Sequence, residues 1–109
     1  SFVSLARNNI GDEGAGAFAD ALLENKFLEK VDLEENKIGA AGATALAQAL
    51  KVNTALTFVS LARNNIGDEG AGAFADALLE NKFLEKVDLE ENKIGAAGAT
   101  ALAQALKVN

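Results

Sequence analysis

The feature that most constrains this chain is an internal repeat without a single difference. Residues 2–53 recur as residues 58–109, identical at every position. A repeated module of this kind predicts an architecture in which each copy packs only on its neighbours, so that the core runs continuously along the array. We therefore predict one domain, residues 1–109, composed of two modules, residues 2–57 and 58–109.

A weaker repeat with a period of 28 residues lies inside each module. The pattern LxxLxLxxNxI, with Val at the second Leu position, runs through Leu28–Ile38, Leu56–Ile66 and Leu84–Ile94, and its later part is present at Val3–Ile10. The alternation of apolar and polar residues in this pattern is typical of a strand. Four repeat units follow from the spacing: residues 2–29, 30–57, 58–85 and 86–109.

Four copies of this pattern at one spacing resemble the leucine-rich repeat family, in its long, ribonuclease-inhibitor-like form. The resemblance covers the whole chain. It implies an α/β fold, a right-handed β-α solenoid bent into a horseshoe arc, with a parallel sheet on the concave face and helices on the convex face. It also implies that the asparagine after each strand hydrogen-bonds backbone groups of adjacent units. These asparagines, which we call the asparagine ladder, are Asn8, Asn36, Asn64 and Asn92.

Residue types around each helix predict where it begins and ends. Apolar side chains recur at helical spacing within the stretches 12–24, 40–52, 68–80 and 96–108. We expect a glycine with positive φ before each helix, an aspartate capping the first and third, and a left-handed asparagine after each. The glycines are Gly11, Gly39, Gly67 and Gly95, the aspartates are Asp12 and Asp68, and the asparagines are Asn25, Asn53, Asn81 and Asn109.

Composition and motif context argue against catalysis. The chain has no His and no Cys, which excludes the usual nucleophile–base triads. Residues 14–19 match GxGxxG/A, the pattern of dinucleotide-binding loops, but no strand directly precedes them. The equivalent stretch of the next repeat unit has Thr44 in place of the second glycine. The paired acids Glu34–Glu35 and Glu90–Glu91 are interpreted as solvated residues rather than an acid–base pair or cation site. We predict no enzyme, no catalytic residue, no metal and no cofactor.

Charge and hydropathy also narrow the range of partners. The net charge of −6 disfavours nucleic acid and anionic membrane surfaces. No apolar run approaches the roughly 20 residues that a membrane helix needs. We therefore predict neither nucleic acid nor membrane as a partner.

The outward residues of the predicted sheet are the first candidate binding surface. Phe2 and Phe58 are expected to flank Lys30, whose aliphatic stem covers the rings. In register, a ladder of opposite charges is expected from Arg7, Glu35, Arg63 and Glu91. The alternative is that the pattern serves only register and solubility. The candidate residues are Phe2, Ser4, Arg7, Lys30, Asp32, Glu34, Glu35, Phe58, Ser60, Arg63, Lys86, Asp88, Glu90 and Glu91.

The two ends of the stack are the second candidate surface. Repeat arrays need polar caps, yet the first and last units keep the internal pattern. An apolar flank is therefore expected on each, and the two flanks are the same pair of surfaces that meet inside the chain. The residues are Val3, Leu5, Phe18 and Leu22 at one end and Val87, Leu89, Leu102 and Leu106 at the other.

Perfect module identity and the missing caps lead to a functional interpretation. Natural duplications drift, and the chain lacks Cys, His, Met, Pro, Trp and Tyr, which indicates an engineered, idealised sequence. We interpret it as a non-catalytic scaffold whose partner is another copy of itself, joined head to tail. Each unit is expected to turn by roughly 20–25°, so that about four chains close a ring, and a filament forms if the rotation does not close. The alternative is a protein-binding fragment of a natural repeat protein, with another protein on its concave face.

Overall fold

The chain folds as four strand–helix pairs stacked side by side. The computed structural model describes residues 1–108, with Val108 described by its backbone alone. We call each strand and the helix after it, with their adjoining loops, a pair; the first to fourth pairs comprise residues 1–25, 26–53, 54–81 and 82–108. The pairs are β1 (Phe2–Ser4) with α1 (Gly11–Glu24), β2 (Lys30–Asp32) with α2 (Ala40–Leu50), β3 (Phe58–Ser60) with α3 (Gly67–Glu80), and β4 (Lys86–Asp88) with α4 (Ala96–Val108).

The four strands form one parallel sheet in the order β1-β2-β3-β4. Val3 lies opposite Val31, Val31 opposite Val59, and Val59 opposite Val87, so each step along the sheet equals the sequence period. Parallel neighbours require a crossover that returns the chain to the same end of the sheet, and each helix supplies one. The predicted α/β solenoid with a parallel sheet is confirmed.

The core lies between the sheet and the helix layer and is densest in the second and third pairs. Val31, Leu33 and Leu46 are buried, as are their neighbours on α3. Ala43 and Ala47 on α2 are also buried. Small side chains at these positions let adjacent helices approach each other closely, which a stack of short strands requires because strands lie only about 4.8 Å apart.

Asp12 and Asp68 cap a different helix from the one predicted. Residue Ile10 stands at the N-cap of α1, and no side chain caps that helix. Instead, Asp12 Oδ1 accepts hydrogen bonds from the N–H groups of Gly39 and Gly42, at 2.7 and 2.9 Å, where α2 begins. Asp68 makes the same two contacts at the start of α4. The prediction was wrong because these caps cross between pairs, which a local sequence pattern does not express.

Left-handed backbone lies at only two of the four predicted glycines. Gly11 and Gly67 have positive φ, whereas Gly39 has a φ of −102° and Gly95 is not left-handed either. In the second pair the left-handed residues are Glu35 and Lys37, with φ of 56° and 60°. The expectation for the even-numbered pairs was wrong because the N–H groups of Gly39 and Gly95 donate to the aspartates of the preceding pairs, whereas those of Gly11 and Gly67 donate to backbone carbonyls of the following pairs.

Replacing Lys37 by glycine is expected to raise the free energy of unfolding. A side chain in the left-handed region costs about 1 kcal/mol, and glycine does not bear that strain. In equilibrium urea unfolding we expect Lys37→Gly to be more stable than Lys37→Ala by about 1 kcal/mol. The control Ala17→Gly, at an exposed position within α1, should lose about 1 kcal/mol. Equal stability of the two Lys37 variants would contradict the left-handed turn.

Candidate functional site

The asparagine ladder joins neighbouring pairs through their loops. Asn64 Oδ1 accepts hydrogen bonds from the N–H groups of Asn36 and Ile38, both at 2.9 Å, in the preceding pair. Its Nδ2 donates to the carbonyl of Leu33 in that pair at 3.0 Å and to the carbonyl of Leu61 in its own at 2.9 Å. The side chain of one buried asparagine thus satisfies backbone groups of two pairs at once.

The position of each ladder asparagine in the stack determines how many hydrogen bonds it forms between pairs. Asn36 Oδ1 accepts from the N–H of Asn8 at 2.8 Å, and Asn92 Nδ2 donates to the carbonyl of Leu61 at 2.7 Å. Asn8 itself is exposed, and its side chain donates only within its own loop, to Leu5 and Ala6. The described residues place no pair before it, so the inter-pair half of its bonding capacity is unused.

A second row of asparagines joins the pairs near the other end of the strands. Asn53 Nδ2 donates to the carbonyls of Leu22 and Asn25, at 2.8 and 3.2 Å, in the first pair. Its Oδ1 accepts from the N–H groups of Ala55 and Leu56. Asn81 repeats this arrangement between the second and third pairs.

This second ladder was not predicted. Asn25, Asn53 and Asn81 were expected at left-handed helix ends, but Asn25 and Asn81 have extended backbone, with ψ of 126° and 121°, and Asn53 is not left-handed either. Asn109 lies outside the described residues. The available signal was that these asparagines recur at the same period as the first ladder, which a local end-of-helix role does not require.

We call the outward side of the sheet, away from the helices, the sheet face. Phenylalanine and lysine side chains alternate across it where the strands begin. Phe2 is exposed and Phe58 is half-buried. Lys86 Nζ lies 5.9 Å from the centre of the Phe58 ring, within the range of a cation–π contact. A shallow depression of about 360 Å³ lies among Phe2, Lys30, Phe58 and Lys86. This part of the surface offers flat apolar area beside positive charge.

The charged residues at the far end of the sheet face form the predicted ladder except at one contact. Arg7 Nε lies 3.1 Å from Glu35 Oε1, as expected. Arg63, however, pairs with Glu34 at 2.7 Å and with Glu91 at 3.5 Å. Glu91 and then Glu34 raise the pKa of the Arg63 guanidinium. Two of the three contacts in the predicted ladder, Arg7 with Glu35 and Arg63 with Glu91, are therefore present. The third was wrong because Arg63 turns back to Glu34 of the preceding pair and not to Glu35.

Ser60 does not lie open on the sheet face as predicted. Only 5% of its surface is exposed, and its Oγ accepts a hydrogen bond from the N–H of Ala62 at 3.3 Å. Asp32 and Asp88 lie opposite it on the two neighbouring strands. Its copy Ser4 is exposed because only one neighbouring strand is present. The remaining sheet-face candidates are exposed or half-buried.

The end faces expose apolar side chains whose internal copies are buried. Val3 is 37% exposed and its copy Val59 is 1% exposed, while Leu106 is 69% exposed and its copy Leu50 is 1% exposed. Because the sequences are identical, the difference measures what a neighbouring pair covers. The half-buried members are Leu5, Phe18, Val87, Leu89 and Leu102, and their buried copies are Leu61, Phe74, Val31, Leu33 and Leu46.

One residue predicted for the first end face belongs inside the stack. Leu22 is 2% exposed. It is part of the core cluster that also contains Leu46 and Leu50, and its carbonyl accepts from Asn53 of the second pair. The prediction was wrong because helical spacing cannot distinguish which of two neighbouring pairs an inward leucine packs against. The first end face therefore consists of Val3, Leu5 and Phe18.

Within residues 1–108 we find no grouping of three or more Asp, Glu, His or Cys side chains arranged to hold a metal ion. Over the same range, every helix is too short or too polar to cross a membrane.

Comparison with known proteins identifies the family. A family model described as Leucine Rich repeat matches residues 2–19, 24–47, 52–75 and 80–103. These matches cover most of the chain and fall once on each strand–helix pair. The chain belongs to the leucine-rich repeat family. No match is found among curated protein sequences.

Solved structures show two similar folds. A structure of leiomodin-1 actin-binding site 2 is 27% identical, with a TM-score of 0.90 over 99% of this chain. This chain spans 64% of that protein chain. A tropomodulin C-terminal domain from Caenorhabditis elegans is 15% identical, with a TM-score of 0.59, and the match covers 98% of this chain and 83% of that one. The second similarity shows the fold alone.

Removing the side-chain amide of Asn64 is expected to destabilise the fold far more than removing that of Asn8. Asn64→Ala leaves buried backbone groups of two pairs without partners, whereas Asn8→Ala affects one exposed loop. We expect losses of about 3 kcal/mol and less than about 1 kcal/mol, respectively. Urea unfolding measures both. Similar losses would contradict the conclusion that the ladder acts between pairs, because the two residues occupy the same repeat position.

Proposed function

We propose that this chain is an engineered, non-catalytic scaffold of the ribonuclease-inhibitor-like kind that stacks head to tail with further copies of itself. The observation that carries the proposal is that apolar residues exposed at the two ends have identical copies buried inside the stack. The apolar residues of the two end faces are copies of residues that meet between the second and third pairs, where they are covered. The identity of residues 2–53 and 58–109 supports the engineered origin.

The junction between the second and third pairs supplies the template for contact between chains. There, the N–H of Leu33 donates to the carbonyl of Ser60 at 2.8 Å, and the N–H of Glu35 donates to the carbonyl of Ala62 at 2.9 Å. Arg63 adds its ion pair with Glu34. On the helix side, Lys51 Nζ lies 3.8 Å from Glu80. The junction therefore combines strand pairing, apolar burial and two charge contacts.

Each of these groups has a copy at the ends of the chain. The fourth pair offers the N–H groups of Leu89 and Glu91, together with the carboxylate of Glu90. The first pair offers the carbonyls of Ser4 and Ala6 and the guanidinium of Arg7. Lys107 and Glu24 stand at the positions of the helix-side ion pair. The only substitution is Ser1 at the position of Thr57, and it keeps the hydroxyl.

The balance of energies favours association that responds to concentration. Full burial of an apolar side chain stabilises by about 1.5–3 kcal/mol, so covering the partly exposed residues of both faces contributes on the order of 10 kcal/mol. The loss of translational and rotational freedom costs about 4–15 kcal/mol. Because the favourable and unfavourable free energies are similar in magnitude, we expect the degree of stacking to rise with protein concentration.

Light scattering over a hundredfold range of concentration tests the proposal. We expect a mass of several chains at the upper end, either constant at a closed ring or growing as a filament. Leu106→Asp should shift the chain to monomer, because a carboxylate would be buried in the junction. Leu79→Asp is the matched control, since Leu79 is exposed on α3 away from both ends. A monomer at every concentration would overturn the proposal.

The second candidate function is binding of another protein on the sheet face. Similarity to a structure of leiomodin-1 actin-binding site 2, with a TM-score of 0.90, supports it and suggests actin as the first probe. The face also has the composition of a binding surface, because exposed Phe2 lies beside Lys30 and Lys86 at one end and ion pairs lie at the other end. Aromatic anchors surrounded by polar groups are typical of interaction sites.

Binding of fluorescently labelled actin monomers, followed by anisotropy, tests this candidate. If the sheet face is the site, Phe2→Ala should weaken binding about tenfold, which corresponds to about 1.4 kcal/mol. Phe27→Ala should not, because Phe27 is 81% exposed but lies outside the sheet. Absence of binding by the unaltered chain would exclude actin, and equal loss in both variants would exclude the sheet face.

A further inference from the structure

We infer that the free edge of β4 is a binding site for an extended peptide with the pattern L-x-x-V-x-L-x-x-N, which adds as a fifth parallel strand. This inference rests on the proposed head-to-tail function and deepens it by naming the segment that the fourth pair recognises. The occupant is defined by an internal copy, because residues 56–64 carry this pattern and lie on the equivalent surface of the second pair.

Backbone pairing supplies the first part of the recognition. Residues 57–65 contact the second pair through Thr57 N–H, which donates to Glu29 O at 2.7 Å, and through Asn65 N–H, which donates to Ile38 O at 2.8 Å. Between these two bonds lie the strand hydrogen bonds of β2 and β3. The corresponding groups of the fourth pair border only open space within the described residues. An extended segment can pair with such an edge in the same register.

An apolar groove supplies the second part. Leu28, Leu56 and Leu84 form a column, in which Leu28 and Leu56 are buried but Leu84 is half-buried, since no further leucine follows it. Beside Leu84 lies a groove of about 480 Å³, also lined by Val87, Leu89, Leu102 and Leu106. These residues are the fourth-pair copies of the surface beneath residues 56–61. The groove therefore suits the leucine and valine side chains of such a segment.

The terminal asparagine supplies specificity. In the internal junction, Asn64 bonds the N–H groups of Asn36 and Ile38 and the carbonyl of Leu33. Their copies in the fourth pair are the N–H groups of Asn92 and Ile94 and the carbonyl of Leu89. An amide side chain is both donor and acceptor, whereas an apolar residue at this position leaves the two N–H groups without partners. The carbonyl of Leu89 also accepts from Asn92 Nδ2 at 3.1 Å.

A labelled peptide copying residues 54–66 tests the inference by fluorescence anisotropy. The protein carries Val3→Asp, which removes the first end face from competition and leaves β4 unchanged. We expect saturable binding, with Leu56→Ala and Asn64→Ala peptides each at least about tenfold weaker. Adding Leu106→Asp to the protein should weaken binding similarly, and adding the control Leu79→Asp should not. Equal binding of a scrambled peptide would overturn the inference.

Amide hydrogen exchange locates the bound peptide. In the complex, exchange at Leu89 and Glu91 should slow at least about tenfold, because their internal copies Leu33 and Glu35 donate to β3 and to the loop after it. If the exchange rates of these two amides did not change when the protein is saturated with peptide, the inference of strand addition would be overturned. Amides of the first pair provide the internal control.

The outcomes distinguish the inference from the proposed function. Growth in mass that the peptide inhibits supports both. Peptide binding by a chain that stays monomeric supports the inference and overturns self-stacking. Growth in mass without peptide binding overturns the inference and leaves the head-to-tail function intact.

Discussion

The structure depends on satisfying the backbone of its loops. Strands of three residues form few hydrogen bonds, and most backbone groups lie in the connections on either side. Two rows of asparagines, one after the strands and one before them, link these connections to the neighbouring pair. Because each side chain bonds across the boundary, a pair is completed only when another pair lies beside it. The stack is thus cooperative along its length, and its ends differ energetically from its middle.

Two kinds of junction alternate along the stack. Between the first and second pairs, and between the third and fourth, an aspartate caps the next helix. Between the second and third pairs the equivalent residue is Ala40, and Arg63 bridges to Glu34 instead. The faces at the chain ends correspond to this second kind. In the proposed head-to-tail assembly, contact between these faces would bury apolar surface and pair strands without the additional helix cap.

The fold was predictable because the sequence repeats its pattern four times. The candidate site was predictable only in part. Strand positions, register and inward residues followed from the period, since a parallel stack has one register that places the strand valines opposite one another. Ser60 and Leu22 were misplaced because their burial depends on neighbours in adjacent pairs. The contact of Arg63 with the second pair was misassigned for the same reason: Glu34 and Glu35 both lie there, and their order in the chain does not determine which one Arg63 contacts.

By itself, the sequence determined the family, the number of strands and helices, the parallel register and the absence of any histidine or cysteine chemistry. These follow from residue identity and spacing, which act locally or repeat exactly with the period. Only the tertiary structure decided which helix each aspartate caps, which residues adopt left-handed backbone, and how far each copy of an identical residue is exposed. Those properties depend on distances between segments a full repeat apart. Identical residues such as Val3 and Val59 therefore differ through their neighbours alone.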